Sequence, residues 1–141
     1  MKKWKKVLLI SVGVTALVLG SMRIYLHVIA IKYASGVRID HAGFSKALSG
    51  ISDGKYMSSL ENPPFMKVKL NVEISGGKIK SINILSHETG KKKSEEIVGR
   101  IIKRQSLKVD SVSGATASSK MILKAVEKAV INNYSQNSSR N

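Results

Sequence analysis

The residues best equipped for chemistry lie in one stretch, Ser106-Leu-Lys-Val-Asp110-Ser-Val-Ser113-Gly114-Ala115-Thr116-Ala-Ser118-Ser119. Hydroxyls, one carboxylate and small residues crowd together there, just ahead of a helical repeat. Two uses follow from the residue types alone. In the first, Ser118 or Ser119 caps the helix and Gly114 makes a turn. In the second, the helix start binds an anion such as phosphate, because its first N–H groups are unpaired and the positive end of its dipole faces outward. Other chemistries are excluded or unsupported. The chain has no cysteine, which removes disulfides, cysteine-ligated metals and thiol catalysis. His27, His41 and His87 are too scattered to give metal-ligand spacing. There is no Ser–His–Asp set, no pair of catalytic acids and no nicotinamide-type Gly-x-Gly.

The elements that must position this stretch can be read from periodicity. From Met66 to Ile74 the chain alternates, with Met66, Val68, Leu70, Val72 and Ile74 on one side and Lys67, Lys69, Asn71 and Glu73 on the other. That pattern is a half-buried strand. Ser75-Gly-Gly-Lys78 is a tight hairpin signal, and residues 78–85 continue as a second strand with Ile79, Ile82 and Ile84 inside or flanking. Asp53-Gly-Lys-Tyr56 marks a turn into a short earlier strand, and Asn62-Pro-Pro64 breaks it. Ser94-Glu-Glu96 supplies a cap and first-turn acids for a helix with Ile97, Val98, Ile101 and Ile102 at helical spacing, ending on Lys103 and Arg104. A second helix is expected from Ser118 or Ser119 to Tyr134, with Ile122, Val126, Ala129 and Val130 as its apolar stripe. The fold class is therefore α+β: a small antiparallel sheet with helices packed on one face, preceded by one N-terminal transmembrane helix.

That first helix is set by Lys2-Lys3-Trp4-Lys5-Lys6 and an uncharged apolar run over residues 7–22, continued past Arg23 to Ile31. Sixteen residues rise about 24 Å as a helix, and snorkelling by Lys6 and Arg23 extends the reach toward a ~30 Å hydrocarbon core. The lysines keep the N-terminus inside and send the rest of the chain out. A cleaved signal peptide is the competing reading, but no clean small-x-small site follows. The organisation expected is an anchor or signal segment over 1–32, a linker or short helix over 33–50, a folded domain over 51–134 and a polar tail over 135–141. The net charge is +15. The first 32 residues hold six basic side chains and no acidic one, leaving 18 against 9, a net +9, from Tyr33 onward. Nucleic acid is not the expected partner, because Trp4 and Phe65 are not interleaved with the lysines as a stacking platform requires. An anionic membrane surface accounts for the excess more simply. Lys91-Lys92-Lys93 reads as a solvated basic loop, or as a contact for headgroups or an acidic partner.

Asp110-Ser-Val-Ser113-Gly114-Ala115-Thr116 resembles the Asp-x-x-Ser/Thr-Gly-Ala-Thr signature of FMN-binding domains, found in membrane complexes of the sodium-pumping NADH:quinone reductase and Rnf types and in exported electron carriers. The resemblance extends over residues 53–131. It takes in Asp53-Gly-Lys-Tyr56, the hairpin from Val72 to Ile79, the segment His87-Glu88-Thr89 and the helix after the signature. It implies that Thr116 takes FMN through a phosphoester bond made by a separate flavin transferase. It also implies that Asp110, Ser113, Gly114 and Ala115 belong to the binding site, Asp110 either as a loop-stabilising cap or as a recognition element for the transferase. His87, Glu88 and Thr89 stand where the family borders the flavin, although a strand end with a polar turn explains them equally well. Two departures fall on expected ring contacts. Met57-Ser-Ser59 replaces further glycines, and a lysine run follows Thr89-Gly90 in place of Pro-Gly.

The function expected on this basis is that of a membrane-anchored extracytoplasmic electron carrier, not catalytic by itself. Its partners would be the transferase, the membrane, and redox proteins or a quinone-linked complex. The alternatives are an accessory subunit of a membrane oxidoreductase, and a flavin-free binding or regulatory module on the outer membrane face.

Overall fold

Leucine, valine and alanine without proline favour a long helix at the N-terminus, and α1 runs over Lys2–Gly36. The computed structural model describes residues 2–62, 66–88 and 92–139. The chain divides into two compact units, Met1–Tyr33 and Ala34–Asn141. In the first, the stretch Lys3–Ile29 is long and apolar enough to cross a membrane, and none of its most apolar window is buried.

In the second unit, a short helix α2 (His41–Gly50) is the form that the linker-or-helix segment takes. Asp40 caps it, its side chain accepting a hydrogen bond from Gly43 N at 2.9 Å. Phe44, Ala47 and Leu48 are buried, so α2 is part of the folded unit and not a free connection. Burial of a side chain the size of phenylalanine contributes about 1.5–3 kcal/mol.

The sheet is a meander in the order β1-β2-β3: β1 (Gly54–Asn62), β2 (Met66–Ser75) and β3 (Lys78–His87), antiparallel throughout. β1 is nine residues long rather than short, because Gly54 through Asn62 pair residue for residue with Ile74 back to Met66. Val68, Leu70, Val72 and Ile74 are all buried, as the alternation required. β3 keeps Ile79 and Ile82 inside despite their three-residue spacing. Register shifts opposite Glu73/Ile74 and Lys69/Leu70 insert an extra residue in β3 each time, and Lys80 and Leu85 stand exposed there. The β2–β3 turn places both Gly76 (φ 58°) and Gly77 (φ 68°) in the left-handed region. Asp53 closes it, accepting from Gly76 N at 2.7 Å and from Ser75 Oγ at 2.9 Å.

A 3₁₀ turn (Lys92–Glu95) leads into α3 (Glu96–Arg104). The residue at that helix boundary is Glu95, with no side-chain cap bond, and Ser94 is buried one position earlier. Ile97 and Ile101 face the core, while Val98 and Ile102 are half-buried. The last helix, α4 (Thr116–Ser138), packs on β1, β2 and α2, and α3 packs on β3. α4 runs four residues past Tyr134. Its extension is exposed and held by helical bonds such as Ser135 Oγ to Ile131 O at 3.0 Å. The antiparallel sheet with helices on one face is thus the α+β arrangement expected. Of the basic run, Lys93 is exposed and Lys91 lies outside the described residues.

Candidate functional site

The signature stretch leaves the end of α3 and returns into the start of α4. Gln105 terminates α3 in the left-handed region at φ 51°, an uncommon position for a residue other than glycine. Its amide offsets that cost by clasping β3 and its own helix. Ile79 N donates to Gln105 Oε1 at 2.7 Å, and Gln105 Nε2 donates to Ile79 O at 2.9 Å and Ile102 O at 2.7 Å. From there α3 pins the loop through two guanidinium groups. Arg100 Nη1 donates to Asp110 O at 2.8 Å, and Arg104 Nη1 to Lys108 O at 3.2 Å. Leu107 and Val112 are buried and anchor the loop to the core.

The turn itself is built by Val112, Gly114 and Ser119. Ala115 N donates to Val112 O at 2.9 Å, with Gly114 at the corner at φ 73°. Val112 N donates across to Ser119 Oγ at 3.1 Å. This corrects the expectation for the helix start. α4 begins at Thr116, not at Ser118 or Ser119, and both of those serines are buried in its first turn. The Ser119 hydroxyl serves a buried loop N–H instead of a helix end. Ala115 stands at the cap position and makes no side-chain cap bond.

Thr116 is exposed at the first helical position, and Ser113 and Gly114 are exposed beside it, while Ala115 is buried. Asp110 is exposed and is held through its main-chain carbonyl; no cap to α4 comes from its carboxylate. The other group of sequence candidates stands at the end of β3, beside the 3₁₀ turn that packs on α4. His87 lies opposite Val68, with its side chain nearly buried and Nδ1 3.4 Å from Glu95 Oε1. Glu88 is exposed, and its N–H donates to Lys67 O at 2.9 Å. Thr89 lies outside the described residues.

Among the described residues, two depressions flank the signature loop. One is a cleft of about 540 Å³ whose lining is mainly polar, from Lys108, Asp110, Ser111 and Lys120, together with Val109 and the almost fully buried Leu107 and Leu123. That volume falls inside the ~300–1,000 Å³ usual for small-molecule sites. Its remaining wall comes from Val37, Ile39 and His41. The other is a groove of about 360 Å³ lined by Arg100, Lys103, Arg104, Val109 and Asp110. Sequence reading missed Arg100, Arg104, Lys108 and Lys120 as site neighbours. Only Lys120 carried a signal, being four residues after Thr116 and so on the same helical face.

FMN asks three things of such a place: an accessible hydroxyl, a positive setting for its phosphate and an apolar surface for its rings. Thr116 supplies the first. The start of α4, with Lys108 and Lys120 nearby, supplies the second. Apolar surface for the rings is sparse in the larger cleft, where Leu107 and Leu123 are almost fully buried, so it is the hydroxyl and the helix start that fit the group.

Residues 65–131 match the profile of the family described as the FMN-binding domain. No curated protein matches the chain. The match ends at the residue where the resemblance of the signature region ended, but it starts after Asp53-Gly-Lys-Tyr56 and after α2. The signature, the β2–β3 hairpin, α3 and most of α4 all fall inside it, so this part of the chain is similar to the FMN-binding domain family, which supports FMN as the cofactor.

Proposed function

We propose that the protein carries FMN covalently on Thr116, through a phosphoester bond formed by a separate flavin transferase, and serves as an electron carrier. The observation that carries this reading is the exposure of Thr116 at an uncapped helix start within the matched signature. Exposure is what a second enzyme needs, since it must reach the hydroxyl and take its proton while the phosphoanhydride of an activated flavin nucleotide breaks and a nucleoside monophosphate leaves; an isolated threonine hydroxyl is too weak a nucleophile to react unaided. Gly114 and Ala115 place no bulk in the way. Once esterified, the phosphate would sit beside the first N–H groups of α4, with the positive end of the helix dipole and Lys120 one turn on. FMN, when bound, supplies one- and two-electron transfer. The protein's part is to hold it, set the charge around it and keep it near its partners.

In the same reading, α1 anchors the chain in the cell membrane with the domain on the extracytoplasmic side. Lys2, Lys3, Lys5 and Lys6 remain inside under the positive-inside rule. Tethering to a surface raises the effective concentration of the domain near other membrane-bound redox proteins or a quinone-linked complex. The basic excess of the domain suits anionic lipid or an acidic partner.

The test is the intact mass of the full chain, coexpressed with a flavin transferase and isolated from membranes. A mass increase of one FMN phosphoester that vanishes in Thr116→Val is the expected result. A chain without added mass, or Thr116→Val carrying the full load, overturns the reading. The same spectrum shows whether the N-terminal segment is retained.

A further inference from the structure

The end of α3 and the start of the signature loop carry a run of unbalanced charge. From Gly99 to Val109 the chain holds Arg100, Lys103, Arg104 and Lys108 and no acidic residue. All four are exposed, and among the described residues none of them is ion-paired. The nearest acids along the chain are Glu96, one turn before Arg100, and Asp110 at the head of the signature. Arg100, Lys103 and Arg104 line the groove of about 360 Å³ together with Val109 and Asp110. Two of these charges are also held in place, since Arg100 and Arg104 each donate from Nη1 to a loop carbonyl. A carbonyl is neutral, so it orders a guanidinium without cancelling its charge. The rest of each planar fork is left to meet an incoming carboxylate, which arginine binds in bidentate fashion.

We propose that this groove is the docking surface for an acidic protein that exchanges electrons with the domain, the partner presenting a protruding carboxylate-rich segment to Arg100, Lys103 and Arg104. The electron-transfer part rests on the protein being a flavin carrier through Thr116. Asp110 belongs both to the groove and to the signature, six residues before Thr116. Six residues span no more than about 20 Å even when extended, and the bond from Ala115 N to Val112 O folds them shorter. A partner seated in the groove is therefore held close to the attachment residue. Shape favours a protein over a lipid surface. The groove is concave, and its open lining is mostly apolar, which Val109 and the aliphatic stems of the long cations must supply. A protruding segment can enter such a place and cover the stems, whereas a flat layer of headgroups meets only its rim. Fixed cations beside a cofactor act chiefly on the rate of association. That suits a carrier, which has to bind and release its partners quickly.

The test uses the full chain in neutral detergent micelles, with a short fluorescent peptide of Asp and Glu around a central Leu as the probe. Peptide binding should weaken several-fold in Lys103→Glu and hold in Lys46→Glu, which makes the same change in net charge at an exposed position of α2. Lys103→Gln, milder for the end of α3, should weaken it in the same direction. Carbodiimide, which joins carboxylates to lysine amines, should link the peptide to Lys103 ahead of Lys46 or Lys55. In the flavin-loaded chain reduced by dithionite, each flavin passes one electron to each of two oxidant ions. Oxidation by anionic hexacyanoferrate(III) should slow several-fold in Lys103→Glu, and oxidation by cationic hexaammineruthenium(III) should quicken. Equal loss of peptide binding in Lys103→Glu and Lys46→Glu, or cross-links spread evenly over the lysines, overturns the proposal. So does protection of Lys103 from acetylation when the chain moves from phosphatidylcholine nanodiscs to ones containing phosphatidylserine, which assigns the groove to headgroups. A chain that binds the peptide at Lys103 but takes no flavin refutes the Thr116 reading, and with it electron transfer as the purpose of docking. A loaded chain indifferent to the peptide refutes the docking alone.

Discussion

The molecule contains two glycine turns of similar make and opposite completeness. In the β2–β3 turn, Gly76 and Gly77 hold positive φ and Asp53, more than twenty residues away in sequence, accepts two hydrogen bonds from the turn. In the signature turn, Gly114 holds positive φ, yet Ala115, the cap residue of the helix that follows, makes no side-chain cap bond. The first turn is finished by the chain's own atoms. The second is held from behind by Ser119, Arg100 and Arg104, and in front Thr116 meets solvent. Under the proposed function, that exposed front is where the flavin phosphate would sit.

Removing the supports should separate the two turns. Ser119→Ala leaves the buried Val112 N–H without its acceptor, which should cost about 1–3 kcal/mol. Because the lost bond lies behind the signature, the covalent flavin load should fall as well. Asp53→Ala removes two bonds from an exposed turn and should cost less, about 1–2 kcal/mol, with the load intact. Denaturant unfolding and intact mass on the same samples check both. Equal loss of flavin in the two variants would erase the distinction.

The glycines give a finer comparison. A Cβ built at Gly76 or at Gly114 meets no atom within 4 Å, so only the positive φ opposes a side chain. Gly76→Ala and Gly114→Ala should thus destabilise alike, by about 1–2 kcal/mol for a non-glycine residue held in the left-handed region. Flavin loading should drop in Gly114→Ala alone, because only there does a transferase have to approach the backbone.

How much of this was legible in the sequence follows from which interactions are local. The alternation from Met66 to Ile74 reported its strand faithfully, since period-two burial is set by the pleat itself. The Ser75-Gly-Gly-Lys78 turn was equally plain, because it takes its φ signs from two adjacent residues. The start of α4 was misplaced by two or three residues. A serine near a helix start ordinarily caps it, and only the tertiary fold shows that Ser119 spends its hydroxyl on Val112 N. Arg100 and Arg104 looked like residues complementing a helix dipole; their grip on the carbonyls of Asp110 and Lys108 depends on a loop folding back that no short-range pattern encodes.

The smallest effect is also the most pointed. Ala115→Ser would give α4 the kind of side-chain acceptor it lacks and make the signature turn resemble the finished one. A new N-cap hydroxyl contributes up to about 1 kcal/mol in favourable geometry. Ala115 sits at φ −135°, ψ 32°, away from the extended backbone that caps prefer, and it is almost fully buried, so the gain should be no more than about 0.5 kcal/mol. The flavin-free chain should therefore unfold at a marginally higher denaturant concentration. Flavin loading should move the other way, because the hydroxyl would compete with the phosphate for the same N–H groups and add bulk beside Thr116. If both rise together, the uncapped start of α4 is not what receives the phosphate, and the two turns differ for some other reason.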